Sequence, residues 1–234
     1  MKKILLVVAF AAFAVSASAQ RAESRMFSFR KAEQPITFGI RAGVNFSGIA
    51  DNNDEFDKTK TGFNVGLNMD LPIFQSFYVQ TGLYFTTKGA KYESDKNKNY
   101  WYKDQINPMY LELPIYASWR LDVSEYTQLQ VNIGPYFAVG VGGKYKWSEG
   151  GDSWDYEDSG KESLFGKKSE LEYPMRRGDV GLGLGAGITV HKIYLGFTYS
   201  FGFNNLLRNS DGYKDASNDK FRNRNFTIQV GFNF

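Results

Sequence analysis

Asn225-Phe-Thr-Ile-Gln-Val-Gly-Phe-Asn-Phe234 decides the architecture of this chain. Phe226, Ile228, Val230, Phe232 and Phe234 alternate with Asn225, Thr227, Gln229, Gly231 and Asn233. Successive strand side chains point to opposite faces, so the segment has one apolar and one polar face. About ten residues is the length of a strand that crosses an outer membrane at a tilt. The segment reads as the closing strand of a transmembrane β-barrel.

The same two-residue period recurs seven times upstream, over 37–46, 62–71, 77–88, 109–121, 127–141, 179–190 and 193–202. Tight turns are expected at Pro72–Ser76, Asp122–Tyr126 and His191-Lys192. Long polar segments fall near 47–61, 89–108, 142–178 and 203–224. Short periplasmic turns alternating with long outer loops are the outer-membrane pattern. The expected fold is therefore all-β: an eight-stranded antiparallel up-and-down transmembrane β-barrel with four long outer loops and both termini in the periplasm. A soluble eight-stranded barrel would put its apolar residues inside and would have no reason to alternate loop lengths so regularly.

The beginning of the chain agrees with export. Met1-Lys2-Lys3, the apolar run Ile4–Val15 and Ala17-Ser18-Ala19 form a signal-peptide pattern with cleavage expected before Gln20. The domains read as 1–19 signal peptide, 20–36 periplasmic leader and 37–234 barrel. Removing Lys2 and Lys3 from a formal charge of +3 leaves +1, which is no footprint for nucleic acid. The chain has no cysteine, which excludes disulfides and thiolate metal sites. Aromatics at 17% and 24 glycines favour an all-β chain.

The inward faces are unevenly filled. The third to fifth segments contribute Tyr78, Tyr84, Tyr110, Tyr116 and Tyr136; the sixth offers Gly181, Gly183, Gly185 and Gly187. Eight strands leave an interior just wide enough for side chains, so the tyrosines are expected to lean onto the glycine wall and leave no continuous pore. Inward Arg41, Asp70, Glu112, Arg120 and Asp179 need partners, because a buried unpaired charge is costly. They form the expected structural lumen network, with Arg41 and Glu112 as the preferred pair by depth. Pro114 beside Glu112 donates no hydrogen bond, which suggests a bulge or kink.

Other motifs are weaker. Gly181-Leu-Gly-Leu-Gly-Ala186 matches a dinucleotide fingerprint only formally, because strand alternation runs on through Ile188 and Val190 where a helix should open. Asp51-Asn-Asn-Asp-Glu-Phe-Asp57 places oxygen ligands at alternate positions but lacks the glycine and the bidentate glutamate of a calcium loop; a solvated loop is expected. Trp147, Trp154 and Tyr156, set among acids on the longest loop, are candidate contact residues that either anchor a partner or pack their own hairpin. The single histidine, His191, lies in a short turn, away from the outer rim where a serine–histidine site would sit. No catalytic, cofactor-binding or metal-binding residues are expected.

Tyr110-Leu-Glu-Leu-Pro-Ile115, Gly134-Pro-Tyr-Phe-Ala138 and the glycine ladder Gly181–Gly187 resemble the PorT-type outer-membrane β-barrel family over roughly 37–234. The resemblance implies an eight-stranded outer-membrane barrel. Some relatives assist a secretion system, most have no assigned activity, and no catalytic residues carry over. The leading expectation is a non-enzymatic barrel that displays loops, with the outer-membrane bilayer as its surroundings and other outer-membrane or secretion proteins as partners. An accessory role in secretion or transport is the alternative, followed by a membrane hydrolase built on rim carboxylates such as Asp179.

Overall fold

The computed structural model describes residues 28–50, 58–94, 101–151, 156–165, 175–207 and 221–234. Segments 1–19 and 51–57, and Trp154, lie outside the described residues. The described strands are β1 Thr37–Ala50, β2 Lys58–Phe74, β3 Phe77–Thr87, β4 Ala90–Glu93, β5 Trp101–Ser124, β6 Thr127–Gly151, β7 Tyr156–Ser163, β8 Gly178–Val190, β9 Ile193–Gly202 and β10 Arg222–Asn233. Eight of them close a ring in the order β1-β2-β3-β5-β6-β8-β9-β10, every pair antiparallel. The C-terminal strand closes it: Ile228 lies opposite Val44 on one side and Phe197 on the other.

Polarity is inverted relative to a water-soluble protein. Phe38, Leu67, Leu83 and Ile193 are all more than half exposed, whereas Arg41, Asn45, Asp70 and Tyr136 are buried. A surface ring of Phe, Leu, Ile and Val around a polar interior is stable only where the surroundings are hydrocarbon. The backbone groups of the ring are paired between strands, as lipid requires.

β5 and β6 run far past the ring, at 24 and 25 residues. Residues 101–108 and 142–151, expected as loop, are their extensions, and β4 and β7 pair onto them from within two of the long connections. Polarity reverts to the ordinary kind here. Ile49, Ala90, Ile106, Tyr145, Leu164, Met175, Leu206 and Phe221 form a buried apolar cluster above the polar lumen. The switch is made by one residue: Tyr110 faces Gly140 and Met109 faces Gly142, leaving Val141 as a bulge. A bulge changes which face later side chains take. Even positions of β6 point inward before it (Tyr136, Ala138), odd ones after it (Gly143, Tyr145).

Pro114 makes no such bulge. The β5 registers with β3 and β6 are the same on either side of it, and the ladder merely lacks rungs there. The Thr81 hydroxyl donates to the Pro114 carbonyl at 2.8 Å. At the short-turn end, Phe29 stacks on Phe77 with centroids 5.1 Å apart, and the Ser28 hydroxyl donates to Gln75 at 2.6 Å, tying the leader to the β2–β3 turn. His191 takes φ 55° in the β8–β9 turn and stacks on Tyr126 at 4.6 Å.

Candidate functional site

The ring places the charged inward residues in two clusters joined by a layer of amides and hydroxyls. In the first, Asp70 of β2 receives Arg120 of β5 at 2.8 Å, Arg41 of β1 at 4.0 Å and the Gln80 amide at 2.8 Å. Both guanidinium groups are also stacked on rings, Arg41 at 3.5 Å from the Tyr194 centroid and Arg120 at 4.2 Å from that of Tyr78. Such stacking suits arginine, whose planar charge is weakly hydrated.

In the second cluster, the Lys88 ammonium meets Glu112 at 2.7 Å and Asp179 at 3.1 Å. Asp179 also accepts from the Asn223 amide at 2.8 Å and from the Tyr136 hydroxyl at 3.3 Å. Lys88 lies 4.3 Å from the Tyr136 ring centroid. Between the clusters Asn64 and Thr227 donate to the Asn45 carbonyl oxygen at 2.8 and 2.9 Å, and Asn45 donates to the Thr86 hydroxyl at 2.8 Å. The first cluster holds two cations and one anion and the second one cation and two anions, so the six charges balance only together.

The expected Arg41–Glu112 pair does not form. Arg41 is engaged by Asp70 and Tyr194, and Glu112 by Lys88. Depth alone could not choose between Glu112 and Asp70, because the tilt of the strands brings residues of different sequence height together. Sequence reasoning missed Lys88, although the even positions Tyr78, Gln80, Gly82, Tyr84 and Thr86 continue directly onto it. Pairing needs alone pointed there, since three inward carboxylates had only two inward arginines.

The tyrosines fill the space between. A methyl group at Gly183 would fall on the Tyr116 hydroxyl, one at Gly181 on the Tyr136 ring, and one at Gly187 on the Tyr194 ring. The glycines are places where an aromatic ring lies flat on the wall. The cavity left amid Arg41, Asn64, Tyr84, Glu112 and Tyr116 is about 40 Å³, room for one water. Among the described residues no group of three or more His, Asp and Glu is placed to hold a metal ion. His191 lies with Tyr126 at the short-turn end.

Of the candidate loop residues, Trp147 packs on its own hairpin: it flanks the apolar cluster, and its indole occupies the place a Gly160 side chain would take. Tyr156 begins β7, opposite Gly151.

A family model described as an outer membrane protein beta-barrel domain matches residues 18–208. No curated protein matches the sequence. Among solved structures, Ail, the attachment invasion locus protein of Yersinia pestis, seen in complex with the heparin analogue sucrose octasulfate, is 15% identical; the alignment covers 86% of this chain and 100% of that one, with a TM-score of 0.42. Neisserial surface protein A is 11% identical over 86% of this chain and 100% of that one, with a TM-score of 0.35. The translocator domain of the autotransporter NalP from Neisseria meningitidis is 10% identical over 97% of each chain, with a TM-score of 0.27. On the match of the family model over most of its length, this chain belongs to the outer membrane protein β-barrel domain family.

Proposed function

We propose that this outer-membrane barrel is a non-enzymatic display protein: a filled, non-conducting anchor that holds a raised β-wall outside the bilayer at its loop end. The carrying observation is the contrast between a lumen reduced to a cavity of about 40 Å³ and strands β5 and β6 of 24 and 25 residues, far beyond the roughly ten that a bilayer needs. Chain has been invested in the wall and none in a channel. In this reading residues 1–19 are removed on export, 20–36 form a leader at the periplasmic end, and the loop end faces outward.

Cysteine labelling in intact cells tests it. A membrane-impermeant maleimide is expected to label Ser159→Cys on the wall and to spare Glu125→Cys in a short turn; the reverse pattern would overturn the orientation. Stable single-channel currents from the purified barrel in planar bilayers would overturn the filled lumen. The PorT-type resemblance of Tyr110–Ile115 supports a second reading, an accessory subunit of a secretion system. It predicts a stoichiometric partner in mild-detergent purifications that dissociates when the β6–β7 hairpin is altered.

A further inference from the structure

The outer face of the wall formed by β4, β5, β6 and β7 carries a cleft of about 610 Å³, within the range of small-ligand sites. Register sets what lines it. Lys91 lies opposite Gln105, Gln105 opposite Lys146, and Lys146 opposite Lys161, forming one row across four strands. Lys103 and Ser148 stand in the next row, beside Ser159.

Two features of this row need a cause. Lys146 and Lys161 are directly opposed like charges, a destabilising arrangement in an antiparallel pair. The hairpin also segregates charge: Lys144, Lys146 and Lys161 take one face, while Glu149, Asp158 and Glu162 take the other. Among the described side chains of the hairpin, the carboxylates thus lie off the lysine face. Glu93, on the cleft, is engaged by a fifth lysine, Lys58, at 2.7 Å, which holds its carboxyl below the usual glutamate range. Among the described residues, none of Lys91, Lys103, Lys146 and Lys161 makes an ion pair.

Height above the bilayer identifies the anion. Val139 and Val141 are the last lipid-facing apolar residues of β6, and Lys146 follows five positions later. At about 3.3 Å per residue and a tilt near 40°, this row stands roughly 12 Å above the hydrocarbon. Phospholipid headgroups occupy only about 5–8 Å of that height, whereas a phosphorylated sugar headgroup spans it. We propose that the face carrying Lys91, Lys103, Lys146 and Lys161 docks the phosphorylated saccharide headgroup of a glycolipid in the surrounding leaflet. Gln105, Ser148 and Ser159 supply hydrogen bonds to its hydroxyls. The inference rests on the loop end facing the glycolipid leaflet.

The test uses the full mature barrel reconstituted in phosphatidylcholine vesicles containing a diphosphorylated glycolipid, extracted in mild detergent, with bound glycolipid per barrel counted by mass spectrometry. The wild type is expected to retain glycolipid, and K91Q/K103Q/K146Q/K161Q to retain roughly tenfold less or lower. K192Q at the opposite end is expected to match the wild type. The milder K146Q/K161Q is read in parallel, and folding of each variant is checked by the faster gel migration of the unheated barrel. Equal retention by folded wild type and variants would overturn the proposal. So would preferential capture of a soluble acidic polysaccharide, which would assign the face to an external polymer. Vesicles do not depend on orientation in the cell, so inverted cysteine labelling alongside lysine-dependent retention would sink the orientation and leave the site standing.

Discussion

Lys88→Met tests whether the lumen is held by its charges. The substitution keeps a long side chain but removes the ammonium that meets Glu112 at 2.7 Å and Asp179 at 3.1 Å. At an effective dielectric near 20, Coulomb's law gives roughly 5–6 kcal/mol for each contact before desolvation. Several kcal/mol of desolvation per ion offset most of that, but removing the cation leaves its two carboxylates buried side by side. Breaking one partner out of a buried pair costs about 3–5 kcal/mol, a factor of roughly 10²–10⁴ in the folding equilibrium. Urea unfolding of the barrel in lipid vesicles, followed by tryptophan fluorescence and gel mobility, measures the loss. The triple variant K88M/E112Q/D179N removes the charges together and is expected to recover most of it, because replacing a whole buried ion cluster is often near neutral. A loss below about 1 kcal/mol in K88M, or a triple variant no better than K88M, would refute the reasoning.

Three further outcomes follow from the same geometry. Gly183→Ala drives a methyl into the Tyr116 hydroxyl and is expected to cost about 1–3 kcal/mol, with much of it restored in G183A/Y116A, as read by urea midpoints. His191→Val places a β-branched residue at φ 55° and is expected to cost about 1–2 kcal/mol, whereas His191→Gly trades backbone relief against the Tyr126 stack and is expected to change stability by less than about 1 kcal/mol. Deleting Val141 removes the unpaired residue and lets regular alternation run from Gly140 through Gly142, so Tyr145 and Trp147 are expected to stay in and Lys144 and Lys146 out. Limited proteolysis should then find the wall as resistant as the wild type's; a wall that is cut while the lipid-embedded ring stays resistant would show that its facing depends on the extra residue.

Within the lipid band the fold was legible, because there the only question is which face meets hydrocarbon. Each of the eight segments answers it with a period of two, from Phe38 and Ile40 in β1 to Phe232 in β10. Above the band the same rule misled. Outward Lys103, Gln105 and Asn107 read as loop because outward residues in that position were expected to be apolar. They belong to β5, whose inner side there carries Ile106, Ala90 packs opposite it, and the outside faces water. The bulge at Val141 then broke the alternation in β6, so Tyr145 and Trp147 looked out of phase with Tyr136. A strand that leaves a membrane without ending must exchange its polarity, and a search for constant polarity stops at that exchange.

The partners in the lumen were harder to read than its members, and the physics explains the asymmetry. Membership is a local property: a residue is inward if its parity is right, which placed Arg41, Asp70, Glu112, Arg120 and Asp179 inside from the chain alone. Partnership depends on shear, the stagger by which strands tilt around the ring, and no single strand encodes it. Charge balance offers a way through that needs no register. An interior closed to water must be close to neutral, so three inward carboxylates with two inward arginines call for a third cation. The inward positions of β3 continue onto Lys88, just past its end, while the inward Lys60 of β2 donates to the Lys88 carbonyl at 3.3 Å rather than to a lumen carboxylate. Neutrality is a constraint on the whole lumen: the two clusters, with opposite unit imbalances, are halves of one compensated core. The same criterion applied outside gives the opposite result. On the wall, among the described side chains, four lysines share a face with one glutamate already engaged by Lys58, and the excess positive charge is open to an anion from outside.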